Sequence, residues 1–197
     1  MASTQNSNQV NTRSSPPLPD LDAGNLSYLF RKTVLDYLII IPSLLLLAPL
    51  FVLFALLIRL DSAGSIFARQ VMLGRNGREF TAYRFRIFHS ATDPRPTRTG
   101  VLLRRYGLEE LPLLLNVLKR EMSLIGPRPA SPLEWLPNSQ YRASILQAYP
   151  GLTGLWQINQ GRDNRLQQDL AYVRKWTIWL DVKILFLTVP AVLRNGD

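Results

Sequence analysis

Glu109 and Glu110 stand side by side in the stretch YGLEELPLLLNVLKREMSLIGPRP, which runs from Tyr106 to Pro129. Pro112 follows closely. Proline is tolerated only in the first turn of a helix and favours its first position, so the pair is predicted at a helix N-terminus. The partial positive charge there stabilises exposed anions by about 0.3–1 kcal/mol. Adjacent carboxylates repel, and the pair is favourable mainly where a cation offsets it. One such cation is Mg²⁺, which takes one or two carboxylates and fills its shell with substrate phosphates and water. The other is arginine. Arg128 is bracketed by Pro127 and Pro129, which restrict the backbone and position the guanidinium fork before a ligand arrives. Arg84 and Arg86 fall in a predicted strand, and Arg95, Arg98 and Arg162 in loops. Singly, each of these residues has a plainer reading: acidic helix starters, a capping or packing arginine, surface charge. Together they are expected to form an anion-lined cleft over a membrane anchor, suited to a diphosphate on one side and a lipid on the other.

The composition narrows the chemistry further. The 197 residues contain no cysteine, which excludes disulfides and thiolate metal sites, and a single histidine, His89, makes a His-rich zinc site a poor fit. The net charge is +9 and the cations are mostly arginine, concentrated between Arg69 and Arg128. Arginine's planar fork suits phosphate better than a lysine point charge does. Nucleic acid, a phosphorylated small molecule and an anionic membrane face are the candidate partners. Nucleic acid is the weakest of these, because no helix-turn-helix and no aromatic–basic stacking motif accompanies the charge.

The elements that must position the cleft begin with a membrane segment. Residues 1–25 are rich in Ser, Asn, Gln and Pro and are expected to be a disordered tail, without the apolar core of a signal peptide. From Thr33 to Ile58 the chain is almost wholly apolar, with Asp36 its sole charge. A straight helix of that length reaches roughly 39 Å, against about 30 Å of hydrocarbon. Hydropathy alone therefore reads as a single span. Pro42 and Pro49 inside the run favour a bend. Cations at both ends (Arg31 and Lys32, then Arg59) suit both ends on the cytosolic side. Residues 26–60 are thus expected to form a re-entrant membrane helix, and 61–197 a compact, membrane-associated cytosolic catalytic domain. In that domain, alternation around GRNG predicts a β-hairpin with strands at Ile66–Met72 and Glu79–Phe85. A helix is expected over Val101–Arg105, and another from Leu108 or Pro112 to Glu121. SLIGPRPASP should be extended, and Leu133–Ala148 helical with an interruption near Pro137. PGLTGLWQINQGR is expected to be a Gly-rich loop, followed by helical segments broken near Thr177. The class is α+β, mainly helical.

Six stretches in order, FRKTVLDYLIII, FTAYRFRIF, DPRPTRTG, LEELPLLLNVLKREMSLIGPRP, PGLTGLWQINQGR and LDVKILFLTV, resemble the bacterial sugar transferases, the monotopic phosphoglycosyl transferases. The resemblance runs from about Phe30 to Arg194. It implies a re-entrant membrane helix, amphipathic interfacial helices and a small α/β body at the cytosolic face of the bacterial inner membrane. It implies transfer of a sugar 1-phosphate from a UDP-sugar to undecaprenyl phosphate, with release of UMP and a requirement for Mg²⁺, as the first membrane step of exopolysaccharide, capsule or O-antigen assembly. Glu109 takes the place of the family's nucleophilic Asp, and Glu110 that of the neighbouring Glu with the metal contact. Arg84, Arg86, Arg98, Arg128 and Arg162 would meet phosphate or nucleotide, Asp169 belongs to the same conserved pattern, and Pro49 marks the membrane-helix break. A homodimer is compatible with this pattern.

The chain departs from the pattern at four points. Glu109 replaces Asp, and a shift near 1 Å costs on the order of 10²-fold where geometry is tight. Ala48-Pro49 replaces Ser-Pro. Asn159-Gln160-Gly161-Arg162 is one residue longer than Asn-Gly-Arg, and Arg162 stands closer to Asp169 than usual. Glu109 leaves a second reading open: a catalytically silent member that binds lipid or donor as a scaffold in a glycan-assembly complex.

Overall fold

The computed structural model describes residues 23–89, 93–133, 143–158 and 165–194. Residues 1–22 of the tail expected over 1–25, most of the expected helix over 133–148, and Arg162 lie outside them, while Ala23, Gly24 and Asn25, expected in the tail, already belong to a helix. Helix α1 spans Ala23–Asp61. The antiparallel hairpin follows, β1 (Phe67–Leu73) with β2 (Glu79–Phe85), in register from Phe67 opposite Phe85 to Leu73 opposite Glu79. Its turn is a 3₁₀ turn over Arg75–Gly77 in which Asn76 and Gly77 adopt φ of 58° and 73°. These left-handed conformations suit Asn and Gly, which is why GRNG reads as a hairpin. Next come α2 (Arg98–Arg105), a 3₁₀ turn at Leu108–Glu110, and α3 (Leu113–Leu118). Strands β3 (Ser123–Ile125) and β4 (Gly151–Thr153) pair in parallel. Helices α4 (Leu155–Ile158), α5 (Arg165–Arg174) and α6 (Ile178–Arg194) complete the described chain.

Helix α1 is long and apolar enough to cross a membrane, and both of its flanks are docked on the folded body. Near its start, Lys32 pairs with Asp181 of α6 at 2.9 Å, and buried Asp36 accepts from the Ser123 hydroxyl at 2.7 Å and the Leu124 amide at 3.3 Å. Near its end, Phe54 and Ile58 pack with Phe85 and Leu103, and Asp61 accepts from the Thr99 amide at 2.7 Å. No residue from 41 to 53 is buried, although both prolines and most of the large aliphatics lie there.

The main core joins Ile40 of α1 to Phe80, Leu113, Val117, Ile125, Tyr172 and Ile184. Fully buried Asn116 of α3 serves the free edge of β2: it accepts from the Tyr83 amide at 3.1 Å and donates to the Thr81 carbonyl at 2.7 Å. A side-chain amide thus replaces a neighbouring strand there. This clamp sets the turn ahead of α3 beside the arginines of β2.

Two expectations are corrected, and a third, the extended SLIGPRP segment, is borne out and refined. The helix expected to reach Glu121 ends at Leu118, because Arg120 takes a left-handed conformation with φ of 60°. The extended SLIGPRP segment holds a strand. The expected Gly-rich loop holds that strand's partner and α4. Gly126 and Gly151 make this pairing possible, since a Cβ on either would run into the other's backbone.

Candidate active site

Glu109 and Glu110 close the 3₁₀ turn that Gly107 opens at φ of 66°. Helix α3 is only six residues long and starts three residues later, so the field of a helix end is a minor influence on them. The cation that offsets the pair is Arg84, whose Nη2 lies 3.1 Å from Glu110 Oε1 while Nη1 donates to Gln70 Oε1 at 3.2 Å. Glu109 Oε2 is buried with no hydrogen-bond partner. Burial pushes the Glu109 carboxyl above its ordinary range, the charge of Glu110 acts the same way, and Arg84 and Arg104 oppose the shift.

Three cavities meet at Glu110. The first, about 500 Å³, is lined by Arg69, Arg84, Arg86, Arg104 and both glutamates. The second, about 240 Å³, has Gln70, Arg84, Arg128, Trp156 and Gln157 on its walls. The third, about 290 Å³, is apolar, with Leu111, Leu114, Leu124, Leu152 and Leu185. A carboxylate pair is therefore flanked by cationic space on one side and hydrocarbon on another.

The structure sorts the sequence-predicted arginines. Arg84 and Arg128 line the second cavity together with Glu110. The Arg128 amide donates to Asp169 Oδ1 at 3.2 Å, which ties the GPRP loop to α5. Asp169 is buried, and burial pushes its carboxyl up to about 7 against the opposing pull of that amide and of the Arg128 charge. The loop is held from below as well, by Gly126 N–H to the Thr153 carbonyl at 2.9 Å and Gly151 N–H to the Pro127 carbonyl at 2.8 Å. Arg86 lines the first cavity, but its guanidinium donates to the Ser62 and Ala63 carbonyls at 2.8 and 2.7 Å and braces the α1–β1 connection. Arg95 pairs with Asp93 at 2.9 Å on the surface. Arg98 is exposed at the head of α2 and lines none of the three cavities. Pro49 is exposed within α1.

Sequence reasoning missed Arg104, Gln70 and Trp156. In the sequence Arg104 reads as a helix-terminal charge. Only the pairing of β1 with β2 brings Gln70 to Arg84. Trp156, whose indole N–H is buried without a partner, sits in what read as a loop. Among the described residues no three or more His, Cys, Asp or Glu side chains cluster as metal ligands. Mg²⁺ needs only one or two carboxylates when substrate phosphates complete its shell. The adjacent pair, with the unpartnered Glu109 Oε2, is compatible with that demand.

The sequence profile described as "Bacterial sugar transferase" matches residues 27–195. The chain is 39% identical over 189 residues to the "Undecaprenyl-phosphate glucose phosphotransferase" of Komagataeibacter xylinus, an alignment covering 82% of this chain and 35% of that protein. It is 35% identical over 200 residues to the "UDP-glucose:undecaprenyl-phosphate glucose-1-phosphate transferase" of Escherichia coli K12, covering 88% of this chain and 42% of that protein. It is also 34% identical over 191 residues to the "Exopolysaccharide production protein ExoY" of Rhizobium meliloti, with 82% of this chain and 84% of that protein aligned. The chain therefore matches less than half the length of the first two relatives and most of the third.

Proposed function

The chain belongs to the bacterial sugar transferase family, and on that premise we propose that it transfers a sugar 1-phosphate from a UDP-sugar to undecaprenyl phosphate. The reaction would release UMP at the start of surface-polysaccharide assembly. UDP-glucose is the donor that the names of several relatives suggest. The observation that carries this reading is the meeting of cationic and apolar cavities at one carboxylate pair. A nucleotide diphosphate needs the first kind of space and a polyprenyl phosphate the second.

In this reading a Glu109 carboxylate oxygen attacks the sugar-bearing phosphorus. The bond from that phosphorus to the bridging oxygen breaks, and UMP leaves with the oxygen. The product on the protein is an acyl phosphate carrying the sugar. A phosphate oxygen of the lipid then attacks the same phosphorus and Glu109 departs as a carboxylate, leaving a diphosphate-linked lipid sugar. Arg84 and Arg104 hold charge on the donor phosphates, and Arg128 does so from the opposite wall. Glu110 would hold Mg²⁺ through its carboxylate, and the ion, when bound, neutralises developing phosphate charge. Burial of Glu109 serves the attack, because a poorly solvated carboxylate is a stronger nucleophile once ionised.

The membrane arrangement rests on the two docked flanks of α1. Lys32 and Asp61 are both fixed to the same folded body. A body on one side of a bilayer cannot hold both ends of a helix that has crossed it. Both docked flanks support our reading that α1 enters and leaves on one face, with the uncovered residues 41–53 in the hydrocarbon. That face is cytosolic, where nucleotide sugars are made.

The test is UMP release by the purified protein with Mg²⁺ and undecaprenyl phosphate across a donor panel, together with phosphosugar labelling without lipid. Release with at least one UDP-sugar, and a hydroxylamine-labile label on the Glu109 peptide, is expected. Protein that never labels and never releases UMP, while Glu109→Gln still supports glycan assembly in cells, would establish the silent scaffold instead.

A further inference from the structure

We propose that the apolar cavity between α3, β4 and α6 receives the isoprenoid units adjoining the phosphate of the acceptor lipid, an assignment that rests on the lipid-phosphate transfer above. Leu111 follows Glu110 directly in the chain and Leu114 lies one helical turn further, so one wall of the cavity is an extension of the carboxylate turn. A hydrocarbon chain on Leu111, Leu114 and Leu124 would end with its polar head at Glu110. The other two cavities at that residue are bordered by Arg84, whose charge suits the phosphates, although the larger of them also carries Ala68, Phe85, Ile87 and Phe88.

Of the polar groups lining the apolar cavity, the two threonine hydroxyls make no demand on a ligand, while Glu110 and Gln157 also line the Arg84–Arg128 cavity and mark the polar end. Thr188 donates to the Ile184 carbonyl at 2.8 Å, and its oxygen lies 2.7 Å from the Thr153 hydroxyl, so the two hydroxyls satisfy each other. The volume of about 290 Å³ sits at the lower bound of ligand pockets, roughly 300 Å³, and holds a few isoprenoid units rather than a whole polyprenyl chain. The remainder has a path. Tyr106 in the cavity wall is 52% exposed, so the cavity opens outward past an aromatic side chain, whose apolar body and polar tip suit a membrane interface.

The test separates acceptor binding from donor chemistry. Leu185→Trp fills the cavity from α6, and Leu124→Phe narrows it from β3; both residues line this cavity and neither lines the two bordered by Arg84. Both variants should form the phosphosugar label without lipid within about twofold of the parent. The undecaprenyl phosphate concentration that half-discharges the label should rise about tenfold or more, the equivalent of losing one or two buried methylenes. An unchanged acceptor dependence in both variants would overturn the assignment, as would an equal loss of labelling and discharge in both. A second measurement does not depend on turnover. A polyprenyl phosphate with a diazirine on its first isoprenoid unit, in nanodiscs, should crosslink to the peptides holding Leu152 and Leu185 and lose that crosslink in Leu185→Trp. Crosslinks confined to α1 would overturn the assignment. A parent protein that never labels and never releases UMP speaks against the transferase reading, and the crosslinks then decide the cavity.

Discussion

The buried ion pair between Lys32 and Asp181 offers a quantitative test of how α1 is held. The two groups meet at 2.9 Å with side-chain exposures of 4% and 0%. Asp181 also accepts from the hydroxyls of Tyr28 and Tyr172, each at 2.7 Å. Asp181→Asn keeps the volume but turns one acceptor into a donor that faces other donors, and leaves the buried Lys32 ammonium with the Tyr172 hydroxyl at 3.2 Å but without its paired counter-charge. Breaking one side of a buried pair costs about 3–5 kcal/mol. At about 2–4 °C per kcal/mol for a chain of this size, the melting temperature should fall on the order of 10 °C. Lys32→Met should cost less, since two hydroxyl donors remain on Asp181. The double variant Lys32→Met/Asp181→Leu should lose clearly less than the sum of the single Lys32→Met and Asp181→Leu variants, by roughly 1–3 kcal/mol, because neither charge is then orphaned. Thermal melts in one fixed detergent provide the readout. Trp176, whose ring lies 5.2 Å from that of Tyr28 at a tilt of 36°, provides a local fluorescence signal. A melt of Asp181→Asn within a degree or two of the parent, or simple additivity in the cycle, would refute the reasoning.

Four further outcomes are expected. Labelling of Glu109 should appear as pH rises through its elevated pKa and vanish below it, so the acid limb lies above the ordinary Glu value near 4.3; Glu109→Gln should abolish the label, and Arg84→Met should move the limb higher still. Arg128→Lys should lower turnover about 10²-fold or more despite keeping the charge, as judged by steady-state UMP release. Asp169 binds its proton more tightly folded than unfolded, so stability from this group is greatest below about pH 4 and falls as pH rises toward about 7. Melts from pH 5 to 8 should therefore show Asp169→Asn, which keeps an acceptor for the Arg128 amide, gaining on the parent as pH rises. Single cysteines introduced beside Arg31 and Arg59, in a chain with no native cysteine, should both resist a periplasmic thiol reagent.

Local patterns in the sequence predict the elements well where local chemistry decides them. Strict alternation and the Asn-Gly turn place the hairpin to within a residue, and the break near Thr177 separates α5 from α6 as expected. The parallel pair β3–β4 escapes such reading, because its partners lie far apart in the chain and its signal is two glycines that must touch. The end of α3 escapes it too, since nothing in the residue type forces Arg120 to φ of 60°. At the site, Glu109, Glu110, Arg84 and Arg128 were legible as charge, but charge does not reveal direction. Arg86 spends its guanidinium on loop carbonyls and Arg95 on Asp93, while Arg104 faces the pair. Sequence treats all of these as equivalent cations, and only the strand register and the turn at Gly107 distinguish them.

The supports of α1 and the walls of the apolar cavity are the same elements. Asp181, which holds Lys32, lies one turn before Leu185 on α6, so both residues occupy neighbouring positions along one helix face. Asp36, on the same side of α1, holds the backbone of Leu124, and Leu124 lines the same cavity. Tyr172 joins the two anchors, donating to Asp181 at 2.7 Å with the Ile125 carbonyl 3.2 Å away. Moving α1 therefore moves β3 and α6, and with them the space beside Glu110. The cationic cavity hangs from the other flank, where Arg86 grips the Ser62 and Ala63 carbonyls just beyond the end of α1. One helix seated at both ends thus sets the positions of the cavities relative to the carboxylate pair that they share. A lipid phosphate and a nucleotide diphosphate would need that registration to reach one carboxylate.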